Sequence, residues 1–243
     1  MGQKLVRSKR VIAALILLCA ACKPQKAVTS KPNAPQIAAT VVTIETTIEP
    51  SNKKLTHSLV IAGDHARAGD ELDVWRLFDL KQKSVTYVDE IAKSYRTESI
   101  ASLAQNRNNA LALPIDVTSN AGQITIRAGR YIRELTIAEH PLIPPQLFSM
   151  MIASDAPMMK KEDDALLGVR GFPMSDHAEI PLDGKRLAID RKVVRIERKN
   201  VDAAWLQIPR GFAASPQPAS SPRSHPATPV EELRSFVTGR KSL

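Results

Sequence analysis

Apolar and polar residues alternate with a period of two through most of the middle of the chain. In AATVVTIETTIEP, Val42, Ile44 and Ile48 hold one set of alternate positions, while threonines and a glutamate hold most of the other. A period of two is typical of a strand with one buried face. It predicts further strands in LTHSLVIAG, LDVWRLFDL, KQKSVTYVDEIAKSYRTE, GQITIRA, RYIRELTIAE, HAEIPL, KRLAIDR and KVVRIERK.

Short polar stretches separate these strands. HARAGDE follows the second strand as a polar stretch, and the next two strands are predicted to pair as a hairpin around Lys81 to Lys83, with Val85 and Tyr87 facing one way. One-sided strands joined by short turns are typical of an antiparallel sheet.

The last predicted strand, KVVRIERK, has one wet face. Val194 and Ile196 alternate with Arg195 and Glu197, so the two apolar residues are expected to share the inner face.

Two segments have a helical period instead. ESIASLAQNRNNALAL can be capped by Thr97 and ended by Pro114, and its apolar stripe consists of Ile100, Leu103, Ala104 and Leu111. PPQLFSMMIA begins with two prolines suited to a first helical turn, and its apolar side consists of Leu147, Met150 and Met151. The patterns together predict a mainly β (α+β) fold: a strongly curved antiparallel sheet covered by one or two short helices.

The N-terminus has the layout of an export signal. MGQKLVRSKR carries four cations and no acid, and it is followed by the apolar run VIAALILLCAA. The run is too short to cross a bilayer, because a spanning helix needs about 20 apolar residues. Residues 1–21 are therefore predicted to be a signal peptide.

The end of this segment, Cys19-Ala20-Ala21-Cys22, resembles the lipobox of bacterial lipoproteins. The resemblance implies cleavage before Cys22 and acylation of that residue, although leucine is usual where Cys19 stands. Lys23 follows in place of an inner-membrane retention Asp, which by the same resemblance favours an outer-membrane anchor facing the periplasm. The alternative is an ordinary signal peptide cut after Ala21.

Composition divides the rest of the chain into three parts. Residues 22–37 contain three prolines and few large apolar groups, as expected of a flexible tether. Residues 38–212 are the right size for one domain. Residues 213–243 begin with AASPQPASSPRSHPATP and are predicted to be a Pro-rich, disordered tail.

The net charge does not favour a nucleic-acid partner. Loss of the four signal-peptide cations lowers the formal charge from +9 to +5, and the remaining cations are scattered. They also lack the interleaved aromatic residues of a single-strand binder. A solvated surface, or weak attraction to anionic lipid headgroups, explains this charge better.

No motif in the chain predicts catalysis, a cofactor or a metal ion. The five histidines lack the spacing of zinc ligands, and no nucleophile elbow, P-loop or dinucleotide glycine pattern occurs. Asp176, His177 and Glu179 are the nearest approach to a metal site, but neighbours in a strand alternate between faces and could converge only at a bulge.

Aromatic and methionine residues offer a ligand surface, with core packing as the simpler explanation. The aromatic candidates for an apolar groove are Trp75, Phe78, Tyr87, Tyr95, Tyr131 and Trp205. A pliable rim for a flexible ligand could come from Met150, Met151, Met158 and Met159.

Two stretches resemble bacterial envelope lipoproteins with the LolA/LolB half-barrel fold. They are the hairpin WRLFDLKQKSVTYVDEIAKSYRTE and the closing KVVRIERKNVDAAWLQIPRGF. The resemblance implies a bent antiparallel sheet, a helical cover and an apolar cavity over residues 40–212. Its closing motif consists of Leu206, Ile208, Pro209, Gly211 and Phe212, with Trp205 beside it, and Pro209 is expected to end the last strand.

These observations predict a non-enzymatic lipoprotein anchored to the outer membrane. The first hypothesis is that its half-barrel cavity binds a hydrophobic ligand, either an acyl chain or a peptide. The alternative is an envelope scaffold or protein-interaction module whose cavity is filled by its own side chains. A third possibility is a hydrolase whose site the sequence does not reveal. The membrane, through the acyl anchor at Cys22, and a lipid or an envelope protein are the expected partners.

Overall fold

The computed structural model describes residues 35–69, 74–106, 114–155, 159–182 and 185–215. Strands make up 59% of them, and the helices are three and short. The strands are β1 (Gln36–Glu49), β2 (Lys53–Ala62), β3 (His65–Ala68), β4 (Val74–Asp79), β5 (Ser84–Asp89), β6 (Ser94–Ser99), β7 (Asp116–Asn120), β8 (Gln123–Ala128), β9 (Tyr131–Ala138), β10 (Phe172–Leu182), β11 (Lys185–Asp202) and β12 (Ala213–Ala214). The helices are α1 (Ile100–Asn106), α2 (Leu147–Ser154) and α3 (Lys160–Leu167), and one 3-10 turn covers Ala203–Leu206.

All twelve strands belong to one sheet in the order β12-β6-β5-β4-β3-β2-β1-β11-β10-β9-β8-β7. Neighbours are antiparallel except for β12, which pairs parallel to β6. The long strands β1 and β11 join two meanders at the centre. The sheet is strongly curved and does not close, which confirms the predicted mainly β fold of the half-barrel type.

The predicted hairpin between β4 and β5 is confirmed. Phe78 pairs with Val85 across it, and Lys83 turns the chain with a φ of 51°. The Asp79 carboxylate accepts a hydrogen bond from the backbone N–H of Gln82 (2.8 Å), which holds the turn closed.

The polar stretch HARAGDE contributes a strand that the sequence pattern did not indicate. Its first four residues form β3, and Ala66 and Ala68 point into the core at 0% and 6% exposure. The strand is short and its buried residues are small, so the apolar signal at alternate positions is weak.

The two predicted strands KRLAIDR and KVVRIERK are one continuous strand, β11. It contains a bulge at Val194, because Thr43 of β1 pairs with Arg195 while the next residue, Ile44, pairs with Val193. The extra residue reverses the alternation. Val193 and Ile196 therefore pack against the core and Val194 is 43% exposed, so the predicted sharing of one face by Val194 and Ile196 is wrong.

The two predicted helices correspond to α1 and α2, with different ends. The Ser99 hydroxyl, rather than Thr97, accepts the capping bond from the N–H of Ser102 (3.1 Å), and Thr97 bonds to Thr86 instead. The two prolines precede α2, which begins at Leu147. Leu111 lies outside the described residues.

Helix α3 was not predicted. Its sequence, KKEDDALL, is mostly charged, yet Glu162 and Asp163 are buried together with Leu166. Burial of charged side chains conceals the apolar stripe that identifies a helix from sequence.

The two faces of the sheet carry separate apolar clusters. We call the face covered by the helices the inner face and the opposite one the outer face. The inner cluster joins sheet residues such as Val42, Leu59 and Phe78 to the helices, and its buried helical and pre-helical members are Ile143, Leu147, Phe148, Met150, Ile152, Met159 and Leu166. The smaller outer cluster consists of Ala39, Val41, Val60, Val201 and Leu206.

Gln36 and Ile37, predicted to lie in the tether, begin β1, and Ala213 and Ala214, predicted to lie in the tail, form β12. The closing motif is not a strand, because β11 ends at Asp202 and the 3-10 turn follows. Pro209 accepts a turn bond from Phe212 (3.4 Å), so its predicted role of ending the last strand is wrong.

Candidate functional site

Cys22, the signal peptide and the tether up to residue 34 lie outside the described residues, as does the tail from residue 216. Within the described ranges, no helix combines the length and apolarity needed to span a membrane.

The six aromatic residues do not line one groove. Phe78 and Tyr131 are buried in the inner cluster, and Tyr87 packs against it. Trp75 and Trp205 instead both lie against the Arg67 guanidinium, with distances of 3.8 and 4.6 Å from its central carbon to the ring centroids. Of the four candidate methionines, the three that the structure describes likewise do not form a rim. Met150 and Met159 are core residues, Met151 is half-buried, and Met158 lies outside the described residues.

Asp176, His177 and Glu179 are divided between the two faces of β10, as strand alternation predicts. The Asp176 carboxylate is buried on the inner face. The His177 imidazole lies on the outer face, with Nδ1 2.6 Å from the Asp190 carboxylate and Nε2 3.4 Å from Glu179. These bonds, above all the one to Asp190, raise the pKa of His177. Among the described residues, no three His, Cys, Asp or Glu side chains are grouped so as to hold a metal ion.

A buried charged cluster on the inner face is the most distinctive chemical feature of the fold. Arg133 donates to both oxygens of Asp176, with Nε–Oδ1 and Nη2–Oδ2 distances of 2.9 Å. Its third nitrogen, Nη1, donates to Glu162 Oε1 at 2.8 Å, and the Tyr131 hydroxyl donates to the same oxygen at 3.0 Å. Arg191 of β11 completes the cluster by donating to Asp176 Oδ2 at 3.0 Å.

The cluster fixes helix α3 of the helical cover to the sheet. Glu162 is on α3, whereas Arg133 and Asp176 are on β9 and β10. Burial raises the pKa of Glu162 in spite of its bond to Arg133. Burial acts against the charged form of Asp176 too, but there Arg133 and Arg191 outweigh it and hold the pKa below its usual value. Two carboxylates within one cluster therefore have opposite pKa shifts.

Opposite pKa shifts in neighbouring carboxylates are also typical of catalytic acid–base pairs. Accessibility argues for a structural role in this case. The side chains of Glu162 and Asp176 are 1% and 8% exposed, and Arg133 is 14% exposed. Neither of the two clefts described on the surface is lined by any of the three.

Buried polar contacts continue from the charged cluster across the centre of the sheet to β1 and β2. The His57 imidazole of β2 bonds through Nε2 to the hydroxyl of Thr46 on β1 at 2.8 Å. Thr46 pairs with Arg191 in the adjacent strand. Burial, assisted by the positive charge of Arg191, lowers the pKa of His57 to about 4, so the imidazole is neutral at physiological pH.

A second polar contact fixes α2 to the other half of the sheet. Arg76 of β4 donates to the Ser154 hydroxyl (2.7 Å) and forms an ion pair with Asp155. The Tyr87 hydroxyl of β5 donates to the Ser154 carbonyl at 2.8 Å. Burial raises the pKa of Tyr87 to about 12, so this donor keeps its proton. The helical cover is thus bonded to both halves of the half-barrel.

One cleft remains at the end of the inner face. Its volume is about 510 Å³, and it separates the beginning of β1 and the end of β2 from the loop that precedes α2. Apolar lining comes from Ala38, Ile61, Leu142 and Ile143, while His140 and Arg198 are the ionisable side chains. Size and composition are within the range of small-molecule sites.

Part of this arrangement has a signal in the sequence. In RYIRELTIAE, Arg133 occupies the same alternate set as Tyr131 and Leu135, so a cation is predicted on an apolar face. Such a residue requires an anionic partner. The sequence does not identify that partner, because Glu162 and Asp176 are distant along the chain and the helix that carries Glu162 was not predicted.

Comparisons with known proteins assign no family to this chain. No family model matches it, and no curated protein matches it. Among solved structures, it is similar to the structure of PNGF-II at 10% identity and a TM-score of 0.44. The match covers 75% of this chain and 31% of that protein, so the chain spans about a third of its length. A similarity this low assigns neither a fold nor an activity.

Proposed function

We propose that the chain is a non-enzymatic lipoprotein, acylated at Cys22 and anchored to the outer membrane, whose self-filled half-barrel acts as an envelope scaffold or protein-interaction module. The filling of the inner face by the chain's own helices is the observation that carries this proposal. It favours the second hypothesis from the sequence over a ligand bound in the half-barrel cavity.

The helices take up the space that a ligand would need. Leu147, Phe148, Met150 and Ile152 of α2 are at most 7% exposed and pack with the sheet residues of the inner cluster. Ile100 and Leu103 of α1 pack against the same cluster. Displacing α2 would expose these apolar residues, at about 25 cal/mol per Å² of apolar surface, and would break its bonds to Arg76 and Tyr87.

Native mass spectrometry of the protein, purified gently from membranes, tests the proposal. The expected mass is that of the processed, acylated chain without a further lipid. A stoichiometric lipid adduct that is lost on denaturation would contradict it. Phe148→Ala provides a matched comparison because it creates space in the filled region. This variant is expected to acquire a lipid adduct, whereas Ile91→Ala, at a position that is 74% exposed, is expected to keep the adduct-free mass.

The cleft at the end of the inner face favours a second candidate function, the binding of a small hydrophobic ligand. An apolar lining beside the Arg198 guanidinium suits an amphiphile with an anionic group. Titration with a fluorescent fatty acid tests this candidate. Arg198→Glu is expected to weaken binding at least tenfold, whereas Arg195→Glu, on the same strand but paired with Glu197 outside the cleft, is expected to leave it unchanged. Equal affinities of both variants and the parent chain would exclude the cleft as the site.

A further inference from the structure

The two edges of the sheet are completed differently. At one end, β12 pairs with the first residues of β6. At the other end, β7 is the last strand in the order, with β8 on one side and no described strand on the other. A cleft of about 710 Å³, lined by residues of β7, β8 and α3, opens beside it. The described part of the chain therefore leaves room for a further strand along this edge.

The turn between β7 and β8 determines which backbone groups face the open edge. Asn120 pairs with Gln123 across a two-residue turn whose φ angles are 46° and 81°. Positive φ at both positions is typical of a type I′ turn, and the two flanking residues exchange their backbone hydrogen bonds. Successive residues of a strand direct these groups to opposite sides. The N–H and C=O groups of Val117 and Ser119 therefore point away from β8, towards the open edge.

Strand β7 has none of the features that commonly prevent an edge strand from pairing. Its sequence, DVTSN, contains no proline and no lysine, and its register with β8 has no bulge. All of its residues except Val117 are exposed. An exposed, regular edge of this kind is a template for a strand from another chain.

The five residues of β7 are complementary to a second copy of themselves. Antiparallel pairing about a two-fold axis at Thr118 places this residue opposite its own counterpart, and two threonines form a favourable cross-strand pair. Val117 then lies opposite the partner's Ser119, and their outward backbone groups form four interchain hydrogen bonds. Asp116 faces the partner's Asn120, whose amide can donate to the carboxylate. No like charges are opposed in this register.

We propose that the β7 edge pairs with the β7 edge of a second copy of this chain, so that two sheets join into one across a two-fold axis. The helical covers of the two copies then lie on the same face of the joined sheet. Only one short strand from each copy takes part, so the interface is small and the dimer exchanges readily with monomer. This inference does not depend on the proposed function.

Sedimentation velocity of the full chain in a mild detergent, at increasing protein concentration, tests the proposal. The fraction of dimer is expected to rise with concentration. Ser119→Pro removes one outward donor from each copy, and therefore two of the four interchain bonds, so it is expected to raise the dissociation constant at least tenfold. Proline is tolerated in an edge strand where the N–H faces away from the sheet. Thermal unfolding checks that this variant remains folded.

Substitutions at Thr118 test the two-fold axis itself. Thr118→Lys and Thr118→Glu each place like charges opposite one another, so each variant alone is expected to form less dimer than the parent chain. An equal mixture of the two is expected to regain the dimer, because lysine then faces glutamate. Thr136→Lys is the matched control, at an exposed threonine of β9, two strands from the edge. In the dimer its counterpart would be five strand spacings away, about 24 Å, well beyond the screening length of about 8 Å.

Recovery of the dimer in the mixture, but in neither variant alone, supports the proposed axis. Two outcomes would overturn the proposal. One is a monomer at every concentration, which would leave the edge without a second copy and available to an extended segment of a different protein. The other is a dimer that neither Ser119→Pro nor Thr118→Lys weakens, because such a dimer forms through another surface.

Discussion

Arg133 and Asp176 form a two-point ion pair on the inner face of the sheet, with both N–O distances at 2.9 Å and both side chains at most 14% exposed. The pair joins the neighbouring strands β9 and β10, and Glu162 connects it to helix α3. Its geometry matches the planar fork of the guanidinium to the two carboxylate oxygens. The first predictions concern this cluster.

Removing one partner of the pair is expected to destabilise the fold strongly. Asp176→Asn leaves Arg133 buried with part of its charge uncompensated, which typically costs about 3–5 kcal/mol. Urea unfolding measures the loss. The control is Glu134→Gln on β9, whose pair with Arg127 is more than half exposed at a distance of 3.7 Å and is expected to contribute less than about 1 kcal/mol. Similar losses in the two variants would contradict a buried, structural pair.

Glu162 is expected to lower stability as the pH rises. Burial raises its pKa above the ordinary value of 4.5, so the folded protein binds this proton more tightly than the unfolded chain does. The free energy of unfolding therefore falls as the pH rises from 4.5 through the folded pKa. Glu162→Gln still offers an oxygen to Tyr131 and Arg133 but does not titrate. Relative to the parent chain, it is expected to gain stability as the pH rises above 4.5. Parallel stability curves for the two proteins would contradict the shift.

His57 is expected to have the opposite pH dependence. Its pKa is lowered from 6.5 to about 4, so the unfolded chain binds a proton that the folded protein rejects. Stability present above pH 6.5 is lost as the pH falls towards 4. At about 1.36 kcal/mol per pH unit, the loss is limited to roughly 3 kcal/mol. His57→Gln is expected to flatten the curve in this range, whereas His65→Gln, at an exposed position in β3, is expected to leave it unchanged. A steep acid loss that persists in His57→Gln would assign it to other groups.

Because of the bulge in β11, Val194 is expected to tolerate a polar substitution better than Val193. Val194→Thr places a hydroxyl on a side chain that is already 43% exposed and is expected to change stability by at most about 0.5 kcal/mol. Val193→Thr, one residue earlier, introduces the hydroxyl beside the inner cluster and is expected to cost more than about 1 kcal/mol. Thermal unfolding of the two variants compares them directly. A larger loss of stability for Val194→Thr than for Val193→Thr would contradict the bulge and support the regular alternation that the sequence pattern predicts.

Val194 shows the limit of periodicity as a guide to this fold. Alternation correctly identified the strands that carry large apolar residues, such as Val42, Leu59 and Phe78, because their burial has a clear period. It could not locate the bulge, which depends on how β11 pairs with Ile44 and Thr43 of β1. A bulge leaves no signal in the residue types of a strand, yet every side chain beyond it lies on the opposite face of the sheet from the one that regular alternation predicts.

The buried charged cluster around Arg133 was less predictable than the strands, for a different reason. Its members are charged, and the pattern of apolar residues assigns charged residues to the surface. The burial of Glu162 is compensated by its bonds to Arg133 and Tyr131, and these contacts exist only after α3 has packed on the sheet. Sequence reasoning reached the separation of Asp176 from His177, which depends only on strand alternation, but not the partners of Asp176, which depend on tertiary structure.

The anchor assignment rests on the sequence, and Cys22→Ser tests it most directly. Acylation adds apolar chains that contribute about 0.8 kcal/mol per buried methylene, and more than one chain holds a protein stably at a membrane. The parent chain is therefore expected in the membrane fraction, with a mass above that of the polypeptide from residue 22. Cys22→Ser is expected to lose both properties. Cys19→Leu is the matched control, because it removes the other cysteine of the same segment, introduces the residue usual at that lipobox position and keeps the residue that would carry the acyl groups. Retention of Cys22→Ser in the membrane fraction at an unchanged mass would show that the attachment lies elsewhere.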